Sequence, residues 1–349
     1  MTARLVVLAA GPGVTLQDSG RRGFSRWGVT GCGPMDPNAF RLANRALGND
    51  IEAAAIEISA AGLEVTAEGG SLDLAVVGRA FDIRLDDRRL PSAVALRLEP
   101  GVRLTVRAGA SGAWCHLSVA GAIDVPPVLG SRATHTRSGL GGLHGRGLEA
   151  GDRLAILGPR RVIETVSAID AEALGENRGP IRVVLGPQDD HFAADQIDAF
   201  LGRDWRLSPR SDRMAYSLEG EPLTHAHGHD IVSDAVAHGA IQVPGSGLPF
   251  VLMADRQPTG GYPKIATVIG ADLGRMAQIR PGENVRFRAV TLDEAVAARR
   301  RMEEGLARPV RLTPVVRKTF TAADLLGLNL VSGMVDAQAP HRGERTDGE

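Results

Sequence analysis

The residues of this sequence best suited to chemistry lie close together in 257–266, Q-P-T-G-G-Y-P-K-I-A, which carries Gln257, Thr259, Gly260, Gly261, Tyr262 and Lys264. The two glycines lack a Cβ, so backbone N–H groups there can approach a ligand closely. Pro263 fixes the chain just ahead of Lys264 and aims its ammonium. Such a set suits a small anion or a carbonyl. Lys264 and the Gly260 and Gly261 amides would meet a developing oxyanion, and Gln257 would meet an amide. The plainer alternative is a glycine-rich hairpin with a solvated lysine. Lysine is scarce, which favours function: the only other one is Lys318.

Two further clusters carry polar chemistry. Gln17, Asp18, Arg21 and Arg22 surround Gly20 and Gly23; glutamine with aspartate can bond an amide or ureido group, and arginine can fork onto a carboxylate. A local Asp–Arg pair that shapes the loop is the alternative. Arg210, Asp212 and Arg213, followed by Gln242, Asp255 and Arg256, form the second cluster, with a solvated charged loop as its plain reading. Glu57, inside the apolar A-I-E-I, needs a partner or a displaced pKa. Asp36 reads as a helix N-cap. The segment 139–146, G-L-G-G-L-H-G-R, lacks a P-loop ending and reads as a hairpin or interface loop. His225, His227 and His229 alternate as metal ligands can, but Gly228 argues for a surface loop, so no metal is expected.

The elements that must position these residues are mainly strands. With 43 glycines, 20 prolines and short apolar runs, the 349-residue chain reads as mainly β with a few helices. Strands are expected at 72–77, 95–98, 103–107, 116–120 and 181–185. Helices are expected at 37–47, 193–201 and 291–306, the last opened by a Thr291–Glu294 capping box. A turn-into-strand cassette recurs as P-G-V-R-L, A-G-D-R-L and P-G-E-N-V. G-C-G-P-M-D-P in the first half faces H-G-A-I-Q-V-P in the second, which suggests two related halves. Residues 167–180 read as a linker. The expected organisation is therefore an N-terminal half over 1–170, a C-terminal half over 178–308 with a closing helix, and a partly disordered extension over 309–349. In that extension the apolar patch 323–335 would dock on the body or on a partner.

Composition narrows the function classes. Forty basic and 41 acidic residues leave a net charge of −1, so a nucleic-acid footprint is not expected. No run of about 20 apolar residues occurs, so no membrane-spanning helix is expected, and the short apolar N-terminus does not read as a signal peptide. The expected compartment is the cytoplasm. Cys32 and Cys115 are too few for a disulfide framework and read as small hydrophobes.

Taken together, T-L-Q-D-S-G-R-R-G-F, G-C-G-P-M-D, L-A-N-R-A-L-G-N-D, V-A-G-A-I-D-V-P-P-V-L-G-S, R-S-D-R-M-A-Y-S-L-E-G, H-G-A-I-Q-V-P-G-S-G-L-P and Q-P-T-G-G-Y-P-K-I-A resemble the biotin-dependent carboxyltransferase family, also called allophanate hydrolase subunit 2. The resemblance runs in order from about Leu5 to Phe287. It implies two cyclophilin-like β-barrel domains. It also implies the work of the C subunit of an ATP-dependent 5-oxoprolinase, which opens 5-oxoproline to glutamate together with subunits A and B; the second of these partners is kinase-inhibitor-like. ATP would then sit at a site shared with partners, Arg210 or Arg213 would receive the substrate carboxylate, and Gln17 and Gln257 would bond the lactam. One alternative is a carboxyltransferase component acting on biotin carried by another protein, and another is a non-enzymatic antagonist of a kinase inhibitor. Pro34, Ala122, Asp212 and Ser217 depart from the family pattern, so no role is carried over onto Asp212 or Ser217.

Overall fold

The computed structural model describes residues 2–175 and 178–315, and the compact unit runs from Met1 to Pro314. The apolar patch 323–335 lies outside the described residues. The chain is mainly β, with four α-helices among the described residues. The helices are α1 (Pro37–Ala46), α2 (Ala194–Gly202), α3 (Leu273–Ala277) and α4 (Leu292–Ala307).

Two seven-stranded sheets face each other in the first half. One contains Arg4–Ala10, Leu63–Glu68 and Leu104–Arg107; the other contains Ala55–Ser59, Trp114–Val119, Leu72–Gly78 and Ala93–Leu98. In Leu63–Glu68, Leu63, Val65 and Ala67 are buried while Glu64 and Thr66 are only half-buried, the period of two expected of a strand with one wet face. Leu5, Val7, Val65 and Val106 meet Ile56, Leu74, Leu96 and Leu117 in one core. The strand Leu72–Gly78 is buried at every position, because its outer face is covered too. There Ala75 and Val77 pack against Ala39, Leu42, Ala43 and Leu47 of α1 and the residue that follows it.

The second half is one eight-stranded sheet whose edge strands are Asn284–Val285 and Phe287–Ala289. Only Arg286 separates those two strands in sequence, so the sheet has to curl until its edges meet, nearly closing a barrel. Trp205, Phe200, Phe287, Ile241, Val251 and Ile265 fill it. Met35 and Trp114 of the first half belong to this second core.

The capping box is present: Thr291 Oγ1 accepts from the Glu294 N–H at 3.2 Å, and Glu294 Oε2 accepts from the Thr291 N–H at 2.7 Å. In the three cassettes Gly101, Gly151 and Gly282 all have φ between 82° and 95°, a left-handed turn that a Cβ would strain. Residues 167–180 are not simply a linker. Ser167–Ile169 forms a strand between Ala93–Leu98 and Leu312–Pro314, burying Ser167 and Ile169 on one face as it completes a sheet edge. The short helix α3 carries no strong sequence signal, and its N-cap Asp272 makes no capping bond; that carboxylate accepts from Arg182 and Arg275 instead. No helix among the described residues is long and apolar enough to cross a membrane.

Candidate functional site

Lys264 opens the strand Lys264–Val268 and is buried, only 2% exposed. Its Nζ donates to Asp234 Oδ2 at 2.8 Å, and its backbone N–H donates to Gln188 Oε1 at 3.2 Å. The ammonium holds the Asp234 carboxyl below the usual carboxylate range, helped by the Ala235 N–H. Asp234 lies on a two-residue strand, Asp234–Ala235, laddered to Thr259–Gly260. Across the main sheet Lys264 pairs with Gln242, so the two side chains share one face. Gln242 is fully buried. Its Nε2 donates to the Tyr262 carbonyl at 3.1 Å, which fixes the direction of the amide and leaves Oε1 enclosed without a partner. Gly260 is the lid over that amide: a Cβ there would stand 2.5 Å from Gln242 Nε2. A buried donor thus lies beside an unanswered acceptor, the pattern that complements the C=O and N–H edge of an amide, a lactam or a ureido ring. Of the other residues in this segment, Thr259 and Tyr262 are exposed, Gln257 and Gly261 are half-buried, and Tyr262 packs edge-on to Phe250.

The first-half loop is more tightly engaged than its sequence suggests. Gln17 Nε2 donates to Thr15 and to the Thr134 carbonyl, and its Oε1 is enclosed without a partner, as in Gln242. Asp18 accepts from Gly20 N–H, Ser131 Oγ and Arg132 N–H, while Arg21 donates to the carbonyls of Val128 and Ala133. Asp18 and Arg21 therefore clamp residues 128–133 rather than each other. Gly141 and Gly142 pack against Ala133 and Thr134, and the N–H groups of Gly142 and Gly145 bond backbone carbonyls. That segment is packed against residues 132–134 of the same half, with these two backbone N–H groups already committed to carbonyls.

The halves meet at Arg213. Its guanidinium forks onto Asp255 at 2.8 and 2.9 Å, donates to the Gly33 carbonyl at 2.7 Å, and donates to Glu57. Glu57 is fully buried and also accepts from the Met35 N–H at 2.6 Å and from His116 at 3.1 Å. Burial opposes its ionisation, but Arg213, His116 and Met35 outweigh burial and hold the carboxyl below the usual range. Arg213, opposed by burial and supported by Glu57 and Asp255, is correspondingly harder to deprotonate. The same junction holds the Cys32 thiol, pushed up to about 12 by burial and then by Asp255. A cleft of about 450 Å³ opens beside it, lined by Trp114, Arg137, Arg213, Met214, Tyr216 and Asp255. Arg210 is exposed.

The structure thus gathers Lys264 and Gly260 with Gln188, Gln242 and Asp234, and separately gathers Arg213 with Glu57 and Asp255. Asp234 was not found from the sequence. Its only clue was that a scarce, buried lysine needs a partner, and the partner is 30 residues away on an exposed strand. In the histidine segment, His225 Nε2 lies 3.0 Å from the Val243 carbonyl oxygen and the ring packs on Phe192, while His229 lies 3.3 Å from Asp230.

The model of the family described as "Carboxyltransferase domain, subdomain A and B" matches residues 27–289. The chain is 40% identical over 295 residues to the C subunit of 5-oxoprolinase from Escherichia coli (strain K12), covering 84% of this chain and 94% of that protein. It is 36% identical to the corresponding 5-oxoprolinase C subunit of Haemophilus influenzae, covering 83% and 92%. Among solved structures, the K. lactis urea amidolyase is similar with a TM-score of 0.80 at 28% identity, over 88% of this chain but only 20% of that one. On the match over 27–289 and these identities, the chain belongs to the family of carboxyltransferase domains of subdomains A and B.

Proposed function

We propose that this protein is the C subunit of an ATP-dependent 5-oxoprolinase and contributes the lactam-binding part of a site that partner subunits complete. The observation that carries this reading is the Lys264–Gln242 pair, a buried ammonium beside an unanswered amide oxygen. A lactam holds its C=O and N–H on the same side, so one ring edge can face both groups. Lys264 would draw charge onto the carbonyl oxygen and favour the tetrahedral state formed when the ring opens. Arg213 is already held by two carboxylates, which leaves the exposed Arg210 for the substrate carboxylate. Near-full-length similarity to two proteins named as 5-oxoprolinase C subunits supports the same choice. ATP would supply activation of the amide carbonyl and would be held together with subunits A and B.

A second reading, a carboxyltransferase component acting on biotin carried by another protein, is favoured by the urea amidolyase likeness. The same donor–acceptor edge fits the ureido ring of biotin. Co-purification with subunits A and B, followed by ATP-dependent glutamate release from 5-oxoproline, decides between them. Release by the assembled complex, with little from this chain alone, is the expected result. Full turnover by the isolated chain, or carboxyl transfer from carboxybiotin without ring opening, would overturn it.

A further inference from the structure

Four contacts close a ring around Lys264. Lys264 pairs across the sheet with Gln242, the Gln242 amide lies under Gly260, Gly260 pairs with Asp234, and the Asp234 carboxylate returns to the Lys264 ammonium. Gln188 braces it as well: its backbone N–H donates to the Lys264 carbonyl at 3.1 Å, and its Oε1 accepts from the Lys264 N–H at 3.2 Å. The outer side of the ring is weakly anchored. Asp234–Ala235 has two residues and is exposed, Val232 ahead of it is 92% exposed, and its flanking ties are the Ile231 N–H bond to the Gly261 carbonyl and the Val236 N–H bond to the Pro258 carbonyl. The Lys264 side chain is 3% exposed while that of Asp234 is 53% exposed, so the carboxylate reaches in from a solvated strand to a buried ammonium.

We propose that Asp234 is the positioning residue for Lys264: its carboxylate holds the ammonium on the sheet face it shares with Gln242, and the Asp234–Ala235 strand covers both until substrate enters. The proposal rests on the lactam-binding reading above. An ammonium has three N–H bonds. One is taken by Asp234, and no acceptor among the described residues takes the other two, so they remain for the substrate oxygen. Asp234→Asn keeps an oxygen that can still accept from the buried ammonium, so the variant should fold, although losing the counter-charge of a lysine that is 3% exposed lowers its stability. Gly260 is part of the device, since any side chain there would displace the Gln242 amide and with it the strand that carries Asp234.

The test is Asp234→Asn and Asp234→Glu in the assembled complex, with two readouts. First, steady-state kinetics of ring opening: Asp234→Asn should lower kcat by about 10- to 100-fold, the loss of one hydrogen bond to a charged group. KM for ATP should stay at its wild-type value, and Asp234→Glu should recover most of kcat. Second, acylation of lysine followed by peptide mass spectrometry, which is clean because the chain has only Lys264 and Lys318. Lys264 should label severalfold faster in Asp234→Asn at a temperature where its melting curve shows the variant still folded. Unchanged labelling, or wild-type kcat in a folded Asp234→Asn complex, overturns the positioning role. If the wild-type complex releases no glutamate, the proposed function fails instead, and the labelling comparison alone decides on Asp234.

Discussion

Lys264 is a buried ammonium whose carboxylate partner is half-exposed, and that asymmetry separates its part in chemistry from its part in folding. Lys264→Met in the assembled complex should lower turnover by about 10²–10³, the usual loss for one oxyanion donor. Lys264→Arg should not rescue fully, because a planar fork does not fit the place of a point charge. Folding should survive in both, since water can solvate the Asp234 left behind. Melting curves check this, and wild-type turnover in a folded Lys264→Met complex would remove the lysine from the chemistry. Scarcity alone made Lys264 stand out in the sequence, yet its burial and its Asp234 partner depend on a strand register that residue spacing does not encode. Glu57 was readable in another way: a carboxylate in A-I-E-I had to be paired or shifted in pKa. The pairing spans 156 residues to Arg213. Glu57→Ala should therefore cost about 3–5 kcal/mol in denaturant unfolding, because Arg213, the Met35 N–H and His116 all lose a buried partner. A loss under about 1 kcal/mol would mean that the pair is solvated in solution.

Among the elements, those that follow local rules were the legible ones. Pro37 at the first position of α1 and Asp36 before it define the helix start, and Asp36 Oδ1 accepts from the N–H groups of Asn38 and Ala39 at 3.1 Å. Local spacing says nothing of the other oxygen: Asp36 Oδ2 accepts from Gln278 Nε2 at 2.8 Å, tying the cap to the second half. Asp36→Ala should thus cost more than an ordinary cap, roughly 2–4 kcal/mol, from the lost cap and the orphaned amide together. Asp36→Ser, which can still cap but not reach Gln278, should recover only part; full recovery by urea denaturation would show that the second bond contributes nothing. The suggested kinship of G-C-G-P-M-D-P and H-G-A-I-Q-V-P is not matched in structure. The first leads into α1, whereas the second contains the strand Ala240–Gln242. A glycine in the left-handed region precedes each element, Gly33 in the first and Gly239 in the second, and the residues after it decide between helix and strand.

In the molecule as a whole, each half has its own core, and a set of polar bonds ties the two together at their junction. Gln278 accepts from the N–H groups of Ala113 and Trp114 and donates to Asp36 and the Trp114 carbonyl, and Arg280 bonds the carbonyls of Gly109 and Gly112. That two-core arrangement supports the division into halves near residues 170–178 as a proposal, although the described chain packs as one compact unit to Pro314. Charge at such a junction makes stability depend on pH in a direction that can be worked out. His238, a half-buried residue whose ring Nε2 is enclosed without a partner, has its pKa pushed down from 6.5 to about 3 by burial and then by Arg256 and Arg213. The folded protein then stays neutral at His238 while the unfolded chain takes up a proton, so stability is fully present above about 6.5 and declines as pH falls towards 3. Glu57, Asp73 and Asp272 are all held below their ordinary values of 4.5, 3.8 and 3.8, so their contribution is present above those values and is lost only as pH falls below them. The two effects occupy different windows. Urea midpoints measured from pH 7 to pH 3 should fall gradually from about 6.5 in the wild type and steeply below about 4.5. His238→Gln should fall less than the wild type over that window, keeping only the contribution of His135, whose pKa burial also lowers, and should then fall as the wild type does once the carboxylates protonate. A wild type that is itself flat down to 4.5 would mean that His238 takes up its proton in the folded state, with its Nε2 reaching water despite the enclosure.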